Sequence, residues 1–357
     1  MDDFMFIYIS MVLIVGVIIY TIIQVSKRSI NCGGIALFSP TSLTGIGAKD
    51  PRFNRKLYDY YVKSSYNSCA TGSFTNDFVD MCALKNVVKQ GFRLLDFEIY
   101  SIDQAAVVCT STTVPFTVKG TYNYLILDDV LQYISENAIS ISRLTDDCPN
   151  ASDPLFLHFR IKSNKLEIYD SIATSIRTHF AKYLLPSDYS YENNGHNLGI
   201  LPLINLMSKV IIIVDKTDKL LESSKLYEYT NIASKSVFMR VLPFAQVKNT
   251  PDMDELIIYN KKNMTLCIPD NANNYNTSVS MQYGCQFCAL NAQFNDSLLK
   301  SYNTVFNEYA FTVKPEKLRY IEVTVDAPPP IDPNKSYGYK TYETPHFYKS
   351  KRTEIKI

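Results

Sequence analysis

The 21 residues from Phe4 to Gln24, FMFIYISMVLIVGVIIYTIIQ, carry no formal charge, and no other segment constrains the chain as tightly. As a helix this run rises about 31 Å, the thickness of a hydrocarbon core, so it suits a bilayer better than a protein interior. A cleaved export signal fits poorly: Asp2 and Asp3 stand where such a peptide carries Lys or Arg, and no small-x-small cleavage site follows. The run is therefore read as an uncleaved single-pass anchor, with the bilayer as partner through residues 4–24. Lys27 and Arg28 lie just beyond it, and the positive-inside tendency then puts the main domain in the cytosol, where thiols are reduced. Asn-x-Ser/Thr sequons at Asn150, Asn263, Asn276, Asn295 and Asn334 suit the opposite orientation, but the motif is frequent by chance and does not outweigh the charges.

Beyond the anchor the chain is balanced in charge. Thirty-six Lys+Arg against 35 Asp+Glu leave +1, which removes the electrostatic case for a nucleic-acid partner. A hydrophobic share of 46% is enough for a large core. Residues 29–50, rich in Gly, Ser and Thr, read as a linker. Thereafter strand-length apolar runs (RLLDFEIY, AAVVCTS, LFLHFRI, KVIIIVDK) alternate with helix-length stretches (YLILDDVLQYISENAI, EIYDSIATSIRTHFAKYL), a pattern that predicts a parallel sheet covered by helices. From Ala327 the triple proline and the polar, basic remainder read as an extended tail. Its Lys335, Lys340, Lys349, Lys351, Arg352 and Lys356, interleaved with Tyr337, Tyr339, Tyr342 and Tyr348, suit solvation first and anionic lipid or a protein partner second.

Two separated segments resemble the X and Y halves of the eukaryotic phosphoinositide-specific phospholipase C barrel. In the first, YYVKSSYNSCATG is similar to Y-F-I-x-S-S-H-N-T-Y-L-x-G, VVKQGFRLLDFEIYS to the Q-G-C-R-C-V-E-L-D-C-W-D strand, and DPLFLHFRIKS to the P-V-I-L-S-L-E-N-H segment. In the second, IIYNKKNMTLCIPDNANNYN resembles Y-N-K-R-x-M-S-R-I-Y-P…S-x-N-Y-x-P, GCQFCALNAQF resembles G-C-Q-M-V-A-L-N-F-Q-T, and VKPEKL resembles the closing L-K-P-x-x-L. The order of these segments carries the resemblance. It implies an α/β fold, a TIM-like (β/α)8 barrel built of X and Y halves, preceded by one transmembrane helix. The boundaries expected are 1–28 for the anchor, 29–50 for the linker, 51–216 for the X-like half, 217–254 for a short connector with the first Y-like elements, 255–326 for the Y-like half, and 327–357 for the tail.

The resemblance also implies a chemistry, which this chain departs from position by position. In the family a calcium ion activates the inositol 2-hydroxyl for in-line attack, and two histidines serve the phosphoryl oxygens and the leaving group. The first histidine position holds Tyr66 and the second holds Cys109, neither comparable to an imidazole near neutral pH. Asn67 matches one calcium ligand, and a swapped carboxylate pair, Asp96 and Glu98, offers two more on one strand face. The last ligand position is Arg160, a permanent cation, read as standing in for the ion's charge and pairing with Asp96 or Glu98. Leu266 and Ile268 occupy the substrate positions of the family's arginine and inositol-stacking tyrosine.

What the sequence implies is a membrane-anchored pseudoenzyme with a binding, structural or assembly role, no cofactor, and a protein partner of unknown identity. An active or residual phosphatidylinositol phosphodiesterase using calcium with Cys109 or His158 is the alternative. A structural protein of a virion membrane is a further one, suggested by zero Trp, 26 Tyr and abundant Asn, Lys and Ile. His158 reads as a hydrogen-bonded core histidine; His179, His196 and His346 fall in a helix, a loop and the tail. The Cys285-x-x-Cys288 pair, with no second pair to complete a zinc site, reads as two buried thiols.

Overall fold

In a computed structural model of the chain the described residues are 2–38, 43–47, 49–112, 118–141, 148–194, 197–216, 219–322 and the backbone of 340–342 and 353–355. The chain divides into a large unit ending at Tyr320 and a C-terminal unit from Ile321.

The large unit is a nearly closed parallel barrel of eight strands taken in chain order. They are β1 (Tyr60–Ser65), β2 (Leu94–Ile102), β5 (Leu155–Ile161), β6 (Val210–Asp215), β7 (Ile232–Ser234), β8 (Met239–Pro243), β9 (Met264–Ile268) and β10 (Phe287–Leu290). Between β2 and β5 the chain adds an antiparallel excursion, β3 (Ala105–Val108) on β2 and β4 (Leu125–Ile126) on β3, and β11 (Phe311–Val313) lies antiparallel to β1. β10 pairs with β1, but β7 and β8 meet without a ladder and are joined by residues 235–238 with no helix between them.

Strand alternation sorts the side chains into two cores. Val62, Leu94, Phe156, Ile211, Ile213, Met264, Leu266 and Phe287 fill the barrel, while Leu95, Phe97, Leu155, Leu157, Phe159, Ile212 and Val214 face the helices. The covering helices obey the 3.6-residue period: α2 (Met81–Lys89) buries Ala83, Leu84, Val87 and Val88, α3 (Leu127–Asn137) buries Leu127, Val130, Leu131 and Ile134, and α4 (Leu166–Phe180) buries Ile168, Ile172, Ile176 and Phe180. Each such Leu, Ile or Phe contributes about 1.5–3 kcal/mol over its exposed state. At the amino-terminal end of the barrel the fully buried Arg93 donates to the carbonyls of Phe92, Asn150 and Ala138, tying the loop before β5 to the start of β2.

Three expectations need correction. The linker assigned to 29–50 is largely structured: one unbroken helix, α1, runs from Asp2 to Ala36, and beyond it Leu43 and Ile46 are buried, with the Ile46 amide donating to Asp153 Oδ1 at 2.8 Å. The helix persists through Gly33 and Gly34 because its last turns pack along α2 and are cross-linked to it, Cys32 forming a disulfide with Cys82. That bond overturns the expectation of uniformly reduced thiols; the other six cysteines are free and buried. The tail is not wholly extended: Lys340–Tyr342 (β12) pairs antiparallel with Thr353–Ile355 (β13). The rest of its basic and tyrosine residues, like Asn334, His346 and His196, lie outside the described residues.

Candidate functional site at the barrel mouth

The carboxyl ends of β1, β2, β5 and β7 converge on one polar cluster. β1 ends at Ser65, and the chain turns at Asn67, whose φ of 45° is a left-handed value that asparagine tolerates better than most residues. The turn aims the Asn67 amide at Asp96 Oδ1, 3.1 Å away, and brings its side-chain oxygen into the barrel. Asp96 and Glu98 project from the same face of β2, and β5, in register beside it, presents His158 opposite Asp96 and Arg160 opposite Glu98.

Arg160 sits at the centre of this cluster. Its Nη2 donates to Asn67 Oδ1 at 2.6 Å and Asp96 Oδ1 at 2.8 Å, its Nε to Asp96 Oδ2 at 3.0 Å, and its Nη1 to Glu98 Oε1 at 3.1 Å. Four of the five guanidinium N–H groups are thus engaged by the side chains of Asn67, Asp96 and Glu98. The Tyr66 ring closes one side, 4.4 Å from the guanidinium carbon, and itself packs edge-on against Phe74. Glu98 is held by the Ser111 amide at Oε2, 3.1 Å, and has Lys162 Nζ 3.8 Å from Oε1. Two carboxylates therefore face two cations, and the cluster has no surplus negative charge.

The electrostatics follow from burial. Burial alone raises the Asp96 carboxyl, but the Arg160 charge and the hydrogen bond from His158 outweigh it and hold the group well below the usual carboxylate range. Burial opposes the charge on Arg160, and Asp96, Tyr66 and Glu98 more than restore it. Burial pushes the Tyr66 phenol well above its ordinary value, with Arg160 opposing the rise. Burial and the nearby Glu98 carboxylate push the Cys109 thiol up to about 12.

Asp96, His158 and Ser234 form a linear chain, with Asp96 Oδ2 2.7 Å from His158 Nδ1 and His158 Nε2 3.1 Å from Ser234 Oγ. The order is that of an acid, an imidazole and a hydroxyl in nucleophilic catalysis, but all three residues are fully buried and Asp96 is already shared with Arg160. A nucleophile must reach a substrate, so here the chain is a strut between β2, β5 and β7. Ser234, Asp215 and Lys235 escaped sequence reasoning; Lys235 Nζ donates to Asp215 Oδ2 at 2.9 Å, and no spacing rule links residues 20 apart on adjacent barrel strands.

Of the sequence-derived positions, Tyr66, Asn67, Asp96, Glu98 and Arg160 meet at the mouth. Leu266 is buried inside the barrel and Ile268 is half-buried against the same interior core, so both present apolar surface. Cys109 lies near Glu98, its amide donating to the Glu98 carbonyl, but its thiol makes no hydrogen bond within the Arg160 cluster. β2 reverses through Asp103 and Gln104, both with positive φ (48° and 65°), into a tight hairpin. Cys109, just past β3, is buried in the core under the helices. Away from the mouth, the structure gathers Cys32, Cys82 and Asp80 within ligand distance of one another, but with the sulfurs bonded to each other they offer no thiolate.

No family model matches this sequence, and no curated protein matches it. Among solved structures, PLC21 from S. officinalis matches with a TM-score of 0.60 at 19% identity, over 77% of this chain and 39% of that one. PLC21 from L. pealei gives 0.60 at 21% identity over 75% and 38%. A calcium-dependent phosphoinositol-specific phospholipase C from a Pseudomonas species gives 0.44 at 10% identity over 73% and 96%. This chain spans about two fifths of the length of the two PLC21 proteins, and the likeness to them establishes a phospholipase C-like (β/α)8 barrel.

Proposed function

We propose that this chain is a membrane-anchored, phospholipase C-like barrel that has lost hydrolytic competence and serves as a binding or assembly component. The observation that carries the reading is the Arg160 guanidinium enclosed by Asn67, Asp96 and Glu98, the side chains that the family resemblance assigns to calcium. A divalent ion of this kind takes six to eight oxygens. Here the available oxygens are already saturated by a fixed cation, so the residues present do not fit the ion. Nor is there a proton carrier suited to neutral pH at the two histidine positions: Tyr66 is a buried phenol, and Cys109 is a buried thiol that burial and Glu98 push up to about 12. Leu266 and Ile268 supply no donor for a phosphorylated headgroup.

The anchor reading rests on α1, whose stretch Phe4–Ala36 is long and apolar enough to cross a membrane and is wholly unburied over its most apolar window. The side of the membrane on which the barrel lies is better indicated by the disulfide than by flanking charge. Lys27 and Arg28 pair with Asp77 and Asp80 and are neutralised, whereas Cys32–Cys82 is a bond of oxidising compartments. We therefore place the barrel on the disulfide-forming side. Protease added to sealed microsomes should leave it intact, and digestion without detergent would return it to the cytosol.

The functional test is a calcium titration of the full-length chain in detergent micelles by calorimetry, run beside a hydrolysis assay on phosphatidylinositol vesicles. Neither binding heat nor product is expected. Turnover that disappears with a chelator and with Asp96→Asn would overturn the proposal in favour of an active phosphodiesterase.

A further inference from the structure

The anchor and the barrel are joined as one body, and the joint fixes which end of the barrel meets the membrane. α1 has no break between its apolar stretch and its docked end. Lys27 Nζ lies 2.8 Å from Asp77 Oδ2, Arg28 Nε donates to Asp80 Oδ2 at 2.6 Å, Asn31 Nδ2 donates to Asp77 Oδ1 at 3.1 Å, and Cys32 is bonded to Cys82. All three partner residues lie in the segment that leaves the carboxyl end of β1 and enters α2. The apolar stretch therefore departs from the mouth side of the barrel, while the chain that follows α1 returns to the opposite end, where Leu43 packs against Gly91 ahead of β2.

A second contact sets the depth. Tyr20 lies seven residues before Lys27, about 10 Å along the helix axis and inside the uncharged stretch. Its hydroxyl is 3.3 Å from that of Tyr122, in the segment between β3 and β4. That segment exposes Val118 (60%), Tyr122 (43%) and Tyr124 (40%), and β4 after it exposes Ile126 (39%), with Phe78 against the Tyr122 ring. A hydroxyl that touches the last apolar turns of a membrane helix stands at the level of the headgroups or just beneath them. Tyrosines with valine and isoleucine are the side chains favoured at that level, where a ring is buried and its hydroxyl stays hydrated.

We propose that residues 118–126 are a lipid-contact surface, seated in the headgroup–acyl boundary of the bilayer that α1 crosses, so that the barrel mouth is held facing the membrane. This rests on the reading of α1 as a membrane span. The test uses the full-length chain in phosphatidylcholine vesicles carrying doxyl-labelled lipid, with an environment-sensitive fluorophore placed on one introduced cysteine at a time. Val118→Cys and Tyr124→Cys report the surface, Ile14→Cys reports the anchor, and Ile200→Cys, exposed near the opposite end of the barrel, reports bulk water. Blue-shifted emission quenched by shallow doxyl lipid is expected at 118 and 124, quenching by deep doxyl lipid at 14, and neither at 200. Quenching at 14 with water-like emission at 118 and 124 would overturn the lipid contact and leave the anchor standing. Water-like emission at 14 as well would overturn both.

Discussion

Replacing Arg160 with methionine removes a cation that has no solvent to replace it. The side chain keeps most of its apolar volume, so the change is electrostatic: Asp96, fully buried, and Glu98, nearly so, lose their shared partner. Breaking a buried ion pair from one side costs about 3–5 kcal/mol, a large share of the 5–15 kcal/mol typical of a whole domain. With a urea m-value of about 3 kcal/mol/M the unfolding midpoint should fall by about 1–1.7 M. With 26 tyrosines and no tryptophan, tyrosine emission of the chain in micelles is the natural probe. The pH dependence makes the test sharper. In the wild type the folded-state pKa of Asp96 is depressed below the unfolded value of about 3.9, so its contribution is complete above that pH and is lost only as pH falls below it. Without Arg160 the buried Asp96 carboxylate loses the charge that does most to offset its burial, so its folded-state pKa rises. The penalty then eases as pH falls from 7 toward 5, by up to about 1.4 kcal/mol per pH unit for each proton gained. Adding Asp96→Asn and Glu98→Gln to the variant should recover most of the loss and flatten the slope. An Arg160→Met protein with the wild-type midpoint, or with no change in slope between pH 7 and 5, would show that the guanidinium is not a buried, paired charge, and the argument from it would fail.

Three further outcomes follow from the same structure. Arg160→Glu turns the centre of the cluster into a third carboxylate beside Asp96, Glu98 and the Asn67 oxygen; calorimetry should then show calcium binding at about 10⁻⁴–10⁻³ M where the wild type shows none, and equal heats for the two would refute it. Alkylation followed by intact-mass measurement should label six cysteines in the denatured, unreduced chain and eight after reduction; eight without reduction would remove the Cys32–Cys82 bond, whose 50-residue loop is worth about 4 kcal/mol in the chain-entropy account. Gly91→Ala should lower stability by about 2 kcal/mol in urea titration, because φ is +69° there and the added methyl would meet Leu43 Cδ1 at 2.8 Å, whereas an unchanged midpoint would mean that Leu43 is not seated on this turn.

The parts of the fold legible in the sequence are those that a local period encodes. The run LFLHFRI is β5 residue for residue, its alternation already placing Phe156, His158 and Arg160 on the inner face, and the stretch read as helical from Glu167 contains most of α4. Periodicity failed where two structures share it. AAVVCTS is a continuous apolar run, as a buried barrel strand would be, but the Asp103–Gln104 turn folds it back on β2 as β3; without the glycine that usually marks such a turn, nothing local signalled a hairpin. The full length of α1 was hidden for a related reason. Gly33 and Gly34 look like linker residues by intrinsic propensity, and only packing on α2 and a bond to a cysteine 50 residues away keep them helical. Within the site, the Asp96–Arg160 pairing followed from residue chemistry, whereas Ser234 and the Asp215–Lys235 pair depend on barrel register, which no single strand declares.

The gap between β7 and β8 is the mechanical weak point of the ring. Among the described strands every other neighbouring pair in the ring is fastened by a ladder of backbone hydrogen bonds, whereas β7 and β8 are linked by the short turn 235–238, with the Ser236 amide donating to the Met239 carbonyl, beside a strand of three residues. Under heat or load the cylinder should uncurl from that joint. Hydrogen exchange at Ile232–Ser234 should accordingly run ahead of exchange in β5 and β6, making this junction the natural place to cut and rejoin the chain.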